Sequence, residues 1–150
     1  MKIYLDVCCP NRPFDDQSQN RVRLEAEAVL SVLEMAESGN LEMIGSDVIN
    51  DEISQMPDTE RLEKVKLLVA LASSHCFLTS AIERRATELT KWTIAALDAL
   101  HLASAESAQA DYFLTTDDGL ISKAIRHQSD LKVKVENPAK WVIQEITDEN

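Results

Sequence analysis

Short apolar stretches alternate with longer amphipathic stretches along the whole chain. Residues 3–5, 41–45, 76–78, 112–115 and 132–135 have the length and apolar content of buried strands. Elsewhere apolar residues recur at steps of three and four, which predicts helices over residues 22–36, 49–56, 62–72, 82–89, 93–108, 119–127 and 138–146. The pattern therefore predicts strands that alternate with helices.

Turn and capping residues mark the ends of several predicted helices. Gly39 follows the first helix as a stop signal. Ser46 or Asp47 can cap the short second helix, because their side-chain oxygens can accept from free backbone N–H groups. Ser80 and Glu83 have the spacing of a capping box, so a further helix is expected to begin there.

Strands separated by helices imply parallel pairing, right-handed crossovers and helices on both faces of the sheet. We therefore expect an α/β fold with a central parallel sheet of four to five strands. The chain has 150 residues, 45% of them hydrophobic, and it contains no repeat and no Gly/Ser-rich linker. A single domain over residues 1–150 follows as the expectation.

Composition excludes several classes of protein. Three glycines, Gly39, Gly45 and Gly119, leave no phosphate-cradling glycine loop and no dinucleotide fingerprint. No apolar run approaches the roughly 18 residues of a membrane span, and the N-terminus lacks the layout of a signal peptide, so a cytoplasmic protein without a membrane partner is expected. The formal charge of -11 argues against a broad basic surface for nucleic acid and leaves room for a local basic rim.

Four acidic residues are predicted to meet at one edge of the sheet. In a parallel α/β fold the carboxyl ends of the strands and the starts of the following helices share that edge. Asp6 ends the first strand, Glu52 lies in the first turns after the second, and Asp117 comes just past the strand that ends at Thr115. The helix of Asp98 precedes its strand and runs antiparallel to it, so it must begin at the same edge.

Asp98 is the most informative of the four acids, because it interrupts the alanine- and leucine-rich segment 94–100. A lone charge in such a segment is costly, and a partner cation would explain it. Oxygen ligands select hard cations, so Mg²⁺ or Mn²⁺ is the expected occupant. Hydrolysis of a phosphodiester by a metal-activated water is chemistry that such a site supports.

The proposed ligands also have structural interpretations. Asp117 or Asp118 can cap the helix that follows, and Glu52 by itself fits a solvated helix position. A shift of one residue would exchange Glu52 for Asp51 or Asp117 for Asp118. Asp47 is a further second choice.

Residues beside the predicted site can contact a substrate or only support the fold. Asn11 and Arg12 lie in the loop after the first strand, where the guanidinium can hold a phosphate or pair with Asp15 or Asp16. His101 can be taken for a general base, but a hydrogen-bonded packing histidine is the preferred interpretation, because one histidine among hard-ion ligands is not typical of a magnesium site.

The motifs YLDVCCPNRPFDD, SDVINDEI, ALDALHLASAE and ADYFLTTDD occur in this order along nearly the whole chain. Together they resemble the PIN domain family, and in particular the ribonuclease toxins of VapC type from bacterial toxin–antitoxin pairs. The resemblance implies an α/β/α sandwich in which Asp6, Glu52, Asp98 and Asp117 bind the metal and Thr115, the polar residue that precedes the last of them, contacts the substrate. It also implies Mg²⁺- or Mn²⁺-dependent hydrolysis of single-stranded RNA, an antitoxin partner and a homodimer.

Two other functions remain open from the sequence. A catalytically weak protein of PIN type could act by binding a protein partner, although such a protein has no need of four acids. A haloacid-dehalogenase-like phosphotransferase would also place its nucleophile, here Asp6, at the end of the first parallel strand. Such an enzyme needs a second Asp two residues later, where this chain has Cys8.

Overall fold

Parallel strands form the centre of the molecule. The structure, a computed structural model, describes residues 1–149. Its strands are β1 (Lys2–Leu5), β2 (Glu42–Ser46), β3 (Ser74–Cys76), β4 (Tyr112–Leu114) and β5 (Lys134–Glu136), which pair in the order β3-β2-β1-β4-β5. Its helices are α1 (Cys8–Asn11), α2 (Asn20–Glu37), α3 (Asp47–Ser54), α4 (Thr59–Val69), α5 (Ser80–Thr90), α6 (Ala96–Ser107), α7 (Asp118–Arg126) and α8 (Pro138–Glu149), with a 3-10 turn at Arg12–Phe14. The predicted parallel α/β sheet is confirmed.

Two apolar layers cover the two faces of this sheet. Successive side chains of a strand point to opposite faces, so Tyr4 packs into one layer and its neighbours Ile3 and Leu5 into the other. The Tyr4 layer is closed mainly by α3, α5, α6 and α7, whereas the Ile3 layer is closed by α2 and by Trp141 of α8. The three-layer α/β/α sandwich implied by the sequence resemblance is confirmed.

The middle strand, β1, delivers its last residues to the carboxyl edge of the sheet. Tyr4 of β1 pairs with Ile44 of β2 on one side and with Phe113 of β4 on the other. The chain passes from β1 to β2 and later returns to the far side of β1 with β4, so the order of the strands reverses at β1. In sheets of this kind, ligands bind in the crevice at such a reversal.

The third strand lies two residues before its predicted position. Cys76 pairs with Ser46, the last residue of β2, so β3 has no partner strand beyond that point. Leu78, which the apolar pattern placed in the strand, instead donates its backbone N–H to the side chain of Asp47 at 2.7 Å. The prediction was wrong here because an apolar run does not reveal where its partner strand ends.

Two predicted helix starts were also wrong. The cap of α5 is Thr79 rather than Ser80, since the Thr79 hydroxyl accepts from the N–H of Ile82 at 3.2 Å. Helix α6 begins at Ala96 rather than near Thr93, whose φ of 63° lies in the left-handed region and cannot continue a helix. The later start leaves Asp98 in the first turn of α6.

Candidate metal centre

Asp6 is a nearly buried carboxylate, 7% exposed, directly after β1. Its backbone N–H donates to the carbonyl of Leu114, which continues the pairing of β1 with β4. Its Oδ1 accepts from the N–H of Val7 at 2.9 Å, and its Oδ2 accepts from the hydroxyl of Thr115 at 2.8 Å. Burial raises the pKa of Asp6, and the hydrogen bond from Thr115 acts in the opposite direction. The side chain is thus held in one orientation at the middle of the carboxyl edge.

Glu52 reaches the same edge from α3 and contacts a buried histidine. Its Oε1 lies 2.8 Å from Nε2 of His101, whose side chain is fully buried on α6. One ligand atom each from Asp6, Glu52 and His101 lie within 4.8 Å of one another. These three groups therefore form a compact cluster built from β1, α3 and α6.

Asp98 lies one helical turn before His101 on α6 and is half-buried. Burial raises its pKa, and the charges of Asp6 and then Asp117 raise it further, with a smaller contribution from Glu52. The charges of the other three predicted ligands therefore all act on Asp98, although Asp98 and Asp117 are not members of the compact cluster.

Asp117 combines its place at this edge with a structural role. Its Oδ1 accepts from the N–H of Leu120 at 3.1 Å and so caps α7, as the capping interpretation requires. Its backbone N–H donates to the Thr115 hydroxyl at 3.2 Å. Thr115 thus joins Asp6 to Asp117, and the exposed Asp117 carboxylate keeps one oxygen that the capping bond does not use.

The second-choice acids have other partners or face solvent. Asp118 accepts two hydrogen bonds of 2.7 Å from the guanidinium of Arg21. Asp47 accepts from Leu78 and contacts His75 Nε2 at 2.8 Å. Asp51 is exposed on α3. The choice of Glu52 and Asp117 over these neighbours remains a prediction that the geometry favours.

Asn11 and Arg12, the two predicted substrate contacts in the loop after β1, bind other groups of the protein. Asn11 donates from Nδ2 to the carbonyl of Val7 at 2.9 Å. Arg12 pairs with Asp15 at 3.1 Å and with the buried Glu25 at 2.9 Å. The alternative ion pair with Asp15 is therefore present, and a phosphate would have to share the guanidinium with these carboxylates.

Tyr4, His101 and Cys8 form hydrogen bonds at the centre of the site that the sequence did not predict. Tyr4 lies within a buried strand, and its hydroxyl contacts both His101 and Ser46, a contact that no local pattern signals. His101 is hydrogen-bonded, as the packing interpretation expects, but one of its partners is the proposed ligand Glu52. The Cys8 thiol donates to Asp6 Oδ2 at 3.6 Å, at the position where a dehalogenase-like enzyme would need a carboxylate.

The donor set fits a hard divalent cation. Within residues 1–149 no Lys or Arg forms an ion pair with any of the four proposed ligands, and His101 is the one ion-pair partner of Glu52. Carboxylates whose charges together raise the pKa of Asp98, with no Lys or Arg paired to them, are typical of a site that binds a cation. Their oxygens match Mg²⁺ or Mn²⁺ rather than a soft metal.

No protein-family model and no curated protein matches the sequence. Among solved structures the chain is similar to VapBC2 from Rickettsia felis, which was solved bound to a DNA fragment from their promoter. The identity is 16% and the TM-score 0.61, over 91% of this chain and 98% of that chain. It is also similar to VapBC-1 from nontypeable Haemophilus influenzae, with 12% identity and a TM-score of 0.54, over 92% of this chain and 98% of that chain. Both likenesses confirm the fold that the resemblance to PIN domains implied.

A membrane-spanning helix is not found in residues 1–149, where every helix is too short or too polar to cross a bilayer.

Proposed function

We propose that residues 1–150 form a single nuclease domain that hydrolyses single-stranded RNA at a Mg²⁺ or Mn²⁺ site made by Asp6, Glu52, Asp98 and Asp117. The observation that supports it most is the convergence of these acids on the edge where β1 ends. Asp6 and Glu52 lie within 4.8 Å of each other, and Asp6, Asp117 and Glu52 all raise the pKa of Asp98. Like charges held together in this way repel one another, and a bound cation would relieve that repulsion.

Other residues of the protein hold the proposed metal ligands in place. When bound, the metal would lower the pKa of a water for attack on phosphorus and would neutralise negative charge that develops on the phosphate and the leaving oxygen. Asp6, held by Thr115 and by the Val7 amide, is the fixed point of the site. His101 is fully buried and both of its ring nitrogens are in hydrogen bonds, so it is not free to accept a proton from the attacking water.

Substrate binding is proposed at the loop after β1. Asn11 and Arg12 lie there, and the guanidinium of Arg12 can neutralise a phosphate. Thr115, the third predicted contact, is fully buried, so we assign it to the support of Asp6 rather than to direct contact with RNA. The charge of -11 indicates that RNA is held by few, local contacts, and because the salt dependence scales with the number of phosphates neutralised, a shallow dependence of binding on salt is expected.

We further propose that the protein is the toxin of a toxin–antitoxin pair in the cytoplasm, with a protein antitoxin as its partner and a homodimer as its assembly. The resemblance to toxins of VapC type and the structural likeness to two VapBC structures support this proposal. Induction of the chain alone is expected to stop growth, and Asp6→Asn is expected to relieve the arrest.

The test of the nuclease is a cleavage assay on an end-labelled single-stranded RNA. Wild-type protein is expected to cut the RNA with Mn²⁺ or Mg²⁺ and to lose this activity in EDTA. Asp6→Asn, purified in parallel, is expected to be inactive, whereas Asp130→Asn removes an exposed acid before β5 and is expected to keep full activity. Equal cleavage by Asp6→Asn would indicate a contaminant, and no cleavage with any divalent metal would contradict the proposal.

A further inference from the structure

Four side chains form a continuous row of hydrogen bonds that ends on a proposed metal ligand. The Ser46 hydroxyl lies 2.8 Å from the Tyr4 hydroxyl, which lies 2.7 Å from Nδ1 of His101. On the other side of the ring, Nε2 lies 2.8 Å from Oε1 of Glu52. Ser46, Tyr4 and His101 are fully buried, so the two bonds among them are shielded from water, whereas the Glu52 side chain is 29% exposed.

The number of protons on these groups decides which group donates in each hydrogen bond of the row. The Tyr4 hydroxyl has one proton and two hydrogen-bond partners, so it donates to one of them and accepts from the other. If Ser46 donates to Tyr4, then Tyr4 donates to Nδ1 of His101, and a neutral ring carries its proton on Nε2 and donates it to Glu52. In the opposite direction the Ser46 proton has no further acceptor among residues 1–149, and His101 needs protons on both nitrogens to reach the Glu52 carboxylate.

The same row also fixes the helix that carries Glu52. Ser46 is the cap of α3, because its Oγ accepts from the N–H of Ile49 at 3.0 Å. Tyr4 is held by stacking on Phe113 of the neighbouring strand, with ring centroids 5.3 Å apart. The start of α3 and the carboxylate of Glu52 are therefore both set from the rigid centre of the sheet.

We propose that Ser46, Tyr4 and His101 act as a positioning chain that orients the Glu52 carboxylate for metal binding, with His101 donating from Nε2. The inference rests on the proposed function in one respect, namely that Glu52 holds the metal. Side chains that orient metal ligands commonly change metal affinity or activity by about 10- to 100-fold when they are removed. Ser46, Tyr4 and His101 are positioning residues, since none of them needs to touch the metal or the RNA.

The tautomer of His101 tests the direction of the row without any assay of activity. In ¹⁵N-labelled metal-free protein, long-range ¹H–¹⁵N correlations are expected to show the proton of His101 on Nε2. Addition of diamagnetic Mg²⁺ is expected to leave it there. A proton on Nδ1 in the metal-free protein would overturn the proposal. A shift of the proton to Nδ1 on addition of metal would also overturn it, because His101 would then be a ligand itself.

Removal of single groups tests the effect on the metal. Tyr4→Phe is expected to weaken Mn²⁺ binding, measured by calorimetry, by about 10-fold. Tyr112→Phe is the matched control, because it removes the hydroxyl of the chain's other tyrosine, which lies on β4 and packs edge-on against Trp141. His101→Gln, which can still donate to Glu52, is expected to keep more of the affinity than His101→Leu. Equal affinities for Tyr4→Phe and Tyr112→Phe would overturn the proposal.

The two proposals fail in different ways. If wild-type protein binds Mn²⁺ but cuts no RNA, the nuclease proposal fails. The Mn²⁺ affinities of the variants still decide whether Ser46, Tyr4 and His101 position Glu52. If wild-type protein binds no metal, the proposed function fails and so does the positioning role, whatever tautomer His101 adopts. Where RNA is cut, Tyr4→Phe is expected to lower kcat while KM for RNA stays within about twofold, since the row faces the metal site rather than the substrate loop.

Discussion

Thr115 donates a 2.8 Å hydrogen bond from its buried hydroxyl to Oδ2 of Asp6. The two residues follow the ends of β4 and β1, which are neighbours in the sheet. This bond lowers the pKa of Asp6 against the effect of burial and so favours its ionised form. Thr115, two positions before Asp117, thus supports the proposed metal ligand Asp6 at the end of the neighbouring strand.

Thr115→Val keeps the shape of the side chain and removes this bond. Metal-free protein is expected to lose about 1 kcal/mol of stability in denaturant unfolding. The pKa of Asp6 is expected to rise further, and RNA cleavage at neutral pH to fall about 10-fold. Thr59→Val is the matched control, because Thr59 is exposed at the start of α4 and lies on neither β1 nor β4. Similar losses in both variants would contradict a specific role for Thr115.

Asp98→Asn is expected to separate function from stability. Burial and the charges of Asp6 and Asp117 raise the pKa of Asp98 above its usual 3.8. An acid with a higher pKa in the folded than in the unfolded protein binds its proton more readily when folded, so its ionisation destabilises the fold. In EDTA, the stability contributed by Asp98 is therefore expected to fall as the pH rises above 3.8.

Thermal unfolding in EDTA checks this sign. Asp98→Asn is expected to melt above wild type near neutral pH, and the difference is expected to shrink as the pH falls toward 3.8, where the wild-type carboxyl becomes protonated. RNA cleavage is expected to drop by at least about 100-fold. Asp130→Asn provides the control for a neutralised exposed acid. A large loss of stability in Asp98→Asn at neutral pH would mark Asp98 as structural.

Asp117 offers a way to separate capping from metal binding. Asn is as good a helix cap as Asp, so Asp117→Asn is expected to keep thermal stability within about 0.5 kcal/mol of wild type. Asp117→Ala loses the cap of α7 and is expected to cost about 1 kcal/mol. Both variants are expected to weaken Mn²⁺ binding in calorimetry. Unchanged Mn²⁺ affinity in Asp117→Asn would show that Asp117 is a cap and no more.

Glu25, a buried carboxylate outside the candidate metal centre, holds the loop after β1 against the rest of the fold. Glu25 of α2 is 1% exposed and accepts hydrogen bonds from Arg12, Arg21 and Asn137 at 2.6 to 3.1 Å. It therefore links α2 to the loop after β1 and to the start of α8.

Glu25→Gln removes the charge that faces two guanidinium groups and is expected to destabilise the protein by about 1–3 kcal/mol in urea unfolding. The exposed Glu27 on the same helix supplies the matched variant, Glu27→Gln, with an expected change below about 0.5 kcal/mol. Equal effects of the two substitutions would mean that the contacts of Glu25 contribute no net stability.

The fold was predictable because its determinants are local. Alternating apolar and amphipathic stretches fixed the order of strands and helices, and the edge rule then explained why Asp6 and Asp98, 92 positions apart in sequence numbering (98 - 6), should approach. The end of β3 was not predictable, since it depends on where β2 ends. The Tyr4–His101 contact was not predictable either. It joins β1 to α6, and no local pattern encodes how a helix is oriented on the sheet.

The account depends most on a divalent cation among the four carboxylates, and anomalous scattering from crystals soaked in Mn²⁺ locates that cation directly. We expect a peak about 2.0–2.5 Å from carboxylate oxygens of Asp6 and at least one of Glu52, Asp98 and Asp117. The same soak of Asp6→Asn crystals is expected to show a weaker peak or none. A strong Mn²⁺ peak elsewhere on the protein, with none between these carboxylates, would contradict the account.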